Sequence, residues 1–266
     1  MCVKTNKEYL TFFYDDFISM PDNKLKNVFE LNLSVNELKD NDLNDIFIKK
    51  LNKCVNLRIL NLSSNYIRNL PVNLFFNLNK LEMLYLDSNL LTQLPENIFT
   101  NLTKLKFLSL DDNKISKLNS NVFENLIKLE YLSLYRNKLK RLPKNTFNKL
   151  INIENIDLSY NLLDSIDDVF NITNKLKILS IMGNNFKVVN NNIFDNLQLL
   201  EVLDDYKLSY NSNIHILKAG CQEHNILVWV KQLNSICKTY KHSKSDILIY
   251  KAFINKYYNQ YKNNIK

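Results

Sequence analysis

Hydrophobic residues recur along most of this chain in a single phrase. An apolar residue lies eight, five and three positions before an asparagine: Leu57, Leu60 and Leu62 before Asn65, Leu81, Leu84 and Leu86 before Asn89, Leu105, Leu108 and Leu110 before Asn113, and Leu129, Leu132 and Leu134 before Asn137. The full series of asparagines is Asn36, Asn65, Asn89, Asn113, Asn137, Asn161, Asn184 and Asn211, with steps of 29, 24, 24, 24, 24, 23 and 27 residues. A second apolar series follows each phrase, as in Leu70, Phe75, Leu78 and in Leu94, Phe99, Leu102. It continues through Leu118, Phe123, Leu126 and Leu142, Phe147, Leu150. A fixed period of this size marks a repeat architecture, in which one unit cannot bury its own core and must stack on its neighbours.

Each phrase predicts a short strand around its Leu-x-Leu element. Side chains alternate between faces of a strand, so the two leucines point inward and the residue between them points out. Successive strands stack in parallel about 4.8 Å apart. The returning segment, with its Phe and Leu, is the longer side of the coil, so the stack must curve with the sheet on its inner face. The recurring asparagine sits where the chain leaves the strand. Buried backbone groups at such a turn need partners, and an amide side chain supplies both donors and an acceptor.

The phrase LxxLxLxxN, with the Leu-Pro pairs Leu94-Pro95 and Leu142-Pro143 and the Phe and Leu that follow, resembles the leucine-rich repeat in its "typical" 24-residue class. That class is common in Toll-like receptors and other recognition proteins. The resemblance implies an α/β, right-handed curved solenoid with a parallel concave sheet and a helical C-terminal cap. It also implies an asparagine ladder. Three regions are expected: an N-terminal cap over 1–24, about eight repeats over 25–211, and a helical cap with a basic tail over 212–266. The pattern slips around Asp42–Lys50, which carries five extra residues, around Ile166–Phe170, and before Asn211, where Leu203, Tyr206 and Leu208 give the preferred register.

The family closes its ends with cysteine-rich caps. Only Cys2 precedes the first repeat here, so Tyr9, Phe12, Phe13, Phe17 and Ile18 are expected to cover the first coil by packing. The segment from Cys221 to Trp229 resembles the family's C-terminal cap, reduced to two cysteines, Cys221 and Cys237. His215, Cys221, His224 and Cys237 offer an alternative reading as zinc ligands, but the cap already explains both cysteines, and no metal or other cofactor is expected. Farther on, Ser245 or Asp246 could cap a last helix whose stripe is Ile247, Tyr250, Ile254, Tyr257, Tyr258 and Tyr261.

Charge is uneven. The net charge is +8, yet residues 211–266 hold nine lysines against Glu223 and Asp246, or +7, so the repeat body is near neutral. No run of about 18–20 apolar residues could span a membrane, and the N-terminus lacks a signal peptide's apolar core. A cytoplasmic location is expected, with secretion as the alternative.

Two glycines, Gly183 and Gly220, cannot form a phosphate-binding loop, and no histidine precedes residue 211 to serve a catalytic triad. Recognition is therefore expected rather than catalysis. The outward positions of the middle repeats gather Met83, Tyr85, Asp87, Phe107, Asp111, Asp112, Tyr131, Tyr135, Arg136, Asp157 and Tyr160. Aromatics and Arg are enriched at interface centres. The expectation is a protein partner on the concave face, with positive charge to match the aspartates, and no nucleic acid. Two alternatives stand beside it. One is a scaffold whose basic C-terminal helix docks on a membrane surface or an acidic partner. The other, implied by the family resemblance, is a viral decoy of a host receptor.

Overall fold

The computed structural model describes residues 9–11, 13–166, 169, 175–187, 208–211, 216–219, 222–225 and 244–264. Eight strands form one all-parallel sheet in sequence order. They are β1 (Tyr9–Thr11), β2 (Glu30–Asn32), β3 (Ile59–Asn61), β4 (Met83–Tyr85), β5 (Phe107–Ser109), β6 (Tyr131–Ser133), β7 (Asn155–Asp157) and β8 (Ile178–Ser180). Every pairing aligns the same slot of successive repeats, as in Leu84↔Leu108, Leu108↔Leu132 and Leu132↔Ile156. That register keeps each leucine on the core side, and a one-residue slip would turn it to solvent.

The three leucine slots form the core. Leu60, Leu84, Leu108 and Leu132 are fully buried, as are Leu62, Leu86, Leu110 and Leu134. On the opposite side Phe75, Phe99, Phe123 and Phe147 stack in a continuous column with centroids 6.2–6.3 Å apart. Strands in a sheet repeat at about 4.8 Å. The wider spacing of the phenylalanine column makes the solenoid curve with its sheet on the concave side.

The asparagine ladder is built as the resemblance implies. Asn113 Oδ1 accepts the Leu91 N–H at 2.9 Å, and its Nδ2 donates to Leu86 O at 2.9 Å and Leu110 O at 3.1 Å. Asn89, Asn137, Asn161 and Asn184 repeat the arrangement one turn apart. At the open end Asn36 Oδ1 accepts the Tyr14 N–H at 2.8 Å, so the N-terminal cap completes the series.

That cap consists of β1 with the short helices α1 (Tyr14–Ser19) and α2 (Asp22–Leu25). The extra length of the first repeat is taken up by helix α3 (Asp45–Leu51), started by the Asn44 side chain, which accepts from Ile46 N and Phe47 N. Phe47 on α3 meets Phe17 edge-on at 5.6 Å and stacks on Tyr14 at 5.8 Å. Asp22 on α2 pairs with Lys50 and Lys53. Phe13, expected to help cover the first coil, is instead 77% exposed. It immediately precedes α1, and Tyr14 and Phe17 face Phe47 in its place.

Among the described residues the parallel sheet ends at β8. The phrase before Asn211 does not extend it: β9 (Leu208–Asn211) pairs antiparallel with β10 (Ile216–Ala219), which pairs antiparallel with β11 (Gln222–Asn225). Only four and two residues separate these strands, enough for hairpins but too few for the dozen-residue crossover that parallel pairing requires. The expected helix around Trp229, with Cys221 and Cys237, lies outside the described residues.

Helix α4 (Lys244–Asn264) follows. Ile249, Tyr250, Ala252, Phe253 and Ile254 on it are buried in the same hydrophobic cluster as the repeats. The helix begins at Lys244, so Ser245 and Asp246 lie inside its first turn rather than before it, and Ser245 Oγ accepts the Phe186 N–H of the last described coil at 3.0 Å. Among the described residues no helix is long and apolar enough to cross a membrane.

Candidate concave-face interface

Four slots of each repeat look toward the concave side: the first strand residue, the third strand residue, and the two residues before the asparagine. The first carries Met83, Phe107 and Tyr131; the second Tyr85, Ser109, Ser133 and Asp157; the third Asp87, Asp111, Tyr135 and Ser159; the fourth Asp112, Arg136 and Tyr160. All eleven residues expected from the sequence therefore lie on this face or at its exit edge.

Three aromatic rings join across neighbouring strands. Phe107 on β5 stacks on Tyr131 of β6 with centroids 4.6 Å apart and planes 5° from parallel, and it meets Tyr85 of β4 at 4.9 Å. Such offset pairs contribute about 0.5–1.5 kcal/mol beyond area burial. A second group sits at the strand exits. Tyr135 meets Tyr160 edge-on at 5.4 Å, the Arg136 guanidinium lies 5.7 Å from the Tyr135 ring, and Arg136 pairs with Asp112 at 3.7 Å.

Between the two groups lies a row of half-buried carboxylates. Asp111 Oδ1 accepts the Tyr135 N–H at 3.1 Å, and Asp157 Oδ1 accepts the Ser159 N–H at 2.8 Å. Burial, with the neighbouring Asp157 charge adding, pushes the Asp111 carboxyl up to about 6, although Ser133 and Ser109 hydroxyls favour its ionised form. Burial also raises Asp87 and Asp157, and raises the Tyr131 phenol beside Asp111 and Asp157. Water excluded from a carboxylate leaves its charge poorly solvated, which favours the neutral form.

Two features were not read from the sequence. Ser109 and Ser133, expected as outward residues, are only 5% and 1% exposed, because the larger rings and carboxylates of adjacent repeats close over them. The run of small hydroxyl residues between aromatics was the available signal. The residue before each asparagine also adopts left-handed backbone: φ is 54° at Ser64, 56° at Ser88, 47° at Asp112, 51° at Arg136 and 54° at Tyr160. This turn aims Asp112, Arg136 and Tyr160 along the sheet edge. At Gly183, with φ of 65°, a Cβ would meet the Tyr160 ring at 2.9 Å, so glycine there makes room for the tyrosine.

No group of three or more metal-binding side chains occurs among the described residues. Of the residues proposed as zinc ligands, His215, Cys221 and Cys237 lie outside them.

A leucine-rich-repeat family model matches residues 37–91, 55–115, 84–139 and 103–163. Among solved structures, a leucine-rich-repeat protein of Leptospira interrogans superposes with a TM-score of 0.61 at 27% identity, covering 75% of this chain and 54% of that one. TLR13, in a complex with ssRNA13, superposes with a TM-score of 0.57 at 24% identity, covering 68% of this chain and 26% of that one. The chain thus spans about half the length of the first and a quarter of the second. No curated protein sequence matches it. With its repeated phrase, its asparagine ladder and its parallel solenoid sheet, the chain belongs to the leucine-rich-repeat family.

Proposed function

We propose that this protein is a non-enzymatic recognition module that binds a protein partner on its concave face, centred on Phe107, Tyr131, Tyr135 and Arg136. The observation that carries this reading is the aromatic strip from Tyr85 through Phe107 to Tyr131, held half-open across β4, β5 and β6. Rigid rings with little conformational entropy to lose favour binding hot spots. The ladder, the leucine core and the phenylalanine column hold these strands in register, so the strip is preorganised.

The same face argues against nucleic acid as its ligand. Among the described residues of this face the carboxylates Asp87, Asp111, Asp112 and Asp157 outnumber the cation Arg136, and would repel phosphates. The alternative of a docking C-terminal helix draws on Lys244 and Lys251, which are exposed, but much of the apolar stripe of α4 is buried within the chain.

Partner capture with the wild type beside Tyr131→Ala/Tyr135→Ala and a chain truncated after residue 243 separates the two readings. A partner lost from the double variant and kept by the truncation supports concave-face recognition. A partner kept by the double variant and lost from a truncated chain whose circular dichroism still shows the folded repeats assigns binding to the tail.

A further inference from the structure

We infer that the concave face takes a basic polypeptide segment, seating a lysine or arginine side chain in the notch between Asp111 and Asp157 against the Tyr131 ring. This rests on the concave-face reading and specifies the chemistry of its partner.

Register places the notch. On β6 the small Ser133 lies between Ser109 of β5 and Asp157 of β7. Asp111, two residues beyond Ser109, turns its carboxylate toward the Ser133 and Ser109 hydroxyls. Tyr131 feels both Asp111 and Asp157, so the phenol and the two carboxylates gather over the buried Ser109 and Ser133 hydroxyls.

Several acids of the N-terminal cap and the repeats are ion-paired. Asp22, Glu82, Asp112, Glu154 and Asp164 each have a lysine or arginine at ion-pair distance. Among the described residues, none lies that close to Asp87, Asp111 or Asp157, although burial desolvates all three carboxyls. An unpaired, desolvated charge is costly, and an incoming cation offsets that cost.

A second observation points the same way. The Ser159 hydroxyl occupies the slot that Asp111 and Tyr135 fill in earlier repeats, and it is 1% exposed. It stands close enough to Asp157 to favour the ionised carboxylate, yet its oxygen has no partner at hydrogen-bond geometry. A buried hydroxyl left open beside a carboxylate suits an N–H donor, of which an ammonium has three and a guanidinium five. The stacked Phe107–Tyr131 pair adds π faces for the same cation. The strip spans several strands, so it fits an extended segment rather than a single small amine.

The probes are fluorescent heptalysine and hepta-arginine, with heptaglutamate as control, measured by anisotropy at physiological ionic strength. The variants are Asp111→Asn/Asp157→Asn and, on the flank, Asp164→Asn. The asparagines keep the acceptor oxygens, and folding is verified by circular dichroism. The expected result is binding of both cationic peptides despite the protein's net charge of +8. The notch variant should weaken it about tenfold or more, and Asp164→Asn should leave it unchanged. No binding by the wild type, or equal loss in both variants, overturns the inference. A native partner that requires Tyr131 and Tyr135 but ignores Asp111→Asn/Asp157→Asn would leave concave-face recognition standing and remove the cation. A partner indifferent to the tyrosines would remove both.

Discussion

Replacing one rung of the asparagine ladder isolates what holds the strands in register. In Asn113→Ala, the carbonyls of Leu86 and Leu110 keep a second donor, because Asn89 Nδ2 also reaches Leu86 O and Asn137 Nδ2 also reaches Leu110 O. The Leu91 N–H has Asn113 Oδ1 as its acceptor and is buried, so it is the group left stranded. An unsatisfied buried N–H costs about 1–3 kcal/mol. Weakened bonds at the carbonyls and the void left by the amide bring the expected loss to about 2–4 kcal/mol, a large part of the ~5–15 kcal/mol of a typical domain. Asn113→Asp is expected to be worse at neutral pH. It keeps the acceptor for Leu91 but sets a carboxylate against the oxygens of Leu86, Leu110 and Asp111, which now receive Nδ2. Asn119, exposed on a loop, provides the control, with Asn119→Ala expected within about 0.5 kcal/mol of wild type. Urea denaturation gives the order wild type, then Ala, then Asp, and amide exchange at Leu91 locates the loss. Wild-type stability in Asn113→Asp, or a Leu91 amide still protected in Asn113→Ala, would refute the ladder's role.

Other consequences are equally direct. Phe123 stacks on both Phe99 and Phe147, so Phe123→Ala should cost about 3–5 kcal/mol in urea denaturation, while Phe76→Ala, on an exposed neighbour, should change little. Gly183→Ala places a Cβ 2.9 Å from the Tyr160 ring, and the lower melting temperature it produces should recover in part when Tyr160→Ala is added. Asp111, raised to about 6, faces Asp157 on β7 and lies among Asp87, Asp112, Arg136 and Tyr131. Its folded-state value exceeds its unfolded one, so its contribution to stability is complete below about pH 4 and is lost as pH rises through 6. Allowing for partial exposure, that loss is about 1–2 kcal/mol. Relative to wild type, Asp111→Asn should therefore gain stability between pH 4 and 7, and parallel melting curves across that range would contradict it.

The legible parts of the fold were those written in period. Leu84, Leu86 and Asn89 recur in phase with Leu108, Leu110 and Asn113, so strand register and core followed from spacing, and the ladder from the family resemblance those positions carry. Helix α3 was visible only as extra length, though Asn44 before an apolar-polar run carries the chemistry of a helix start. The antiparallel turn of the chain after Leu208 was not legible, because the Leu203–Tyr206–Leu208 phrase imitates a repeat and the short connections beyond it decide the pairing. At the concave face the outward slots were readable, so the positions of Phe107, Tyr131 and Tyr135 were anticipated. The burial of Ser109 and Ser133 was not, since it depends on side chains from adjacent strands closing over them. The left-handed backbone at Arg136 and Tyr160 was equally hidden, as neither residue type signals it.

Hydrogen exchange of the protein alone and bound to its captured partner tests concave-face recognition most directly. The expected result is new protection over residues 83–88, 107–112, 131–136 and 155–160, with none over α4. Protection confined to α4, or to the turns that carry the phenylalanine column, would place the partner elsewhere and contradict the proposed site.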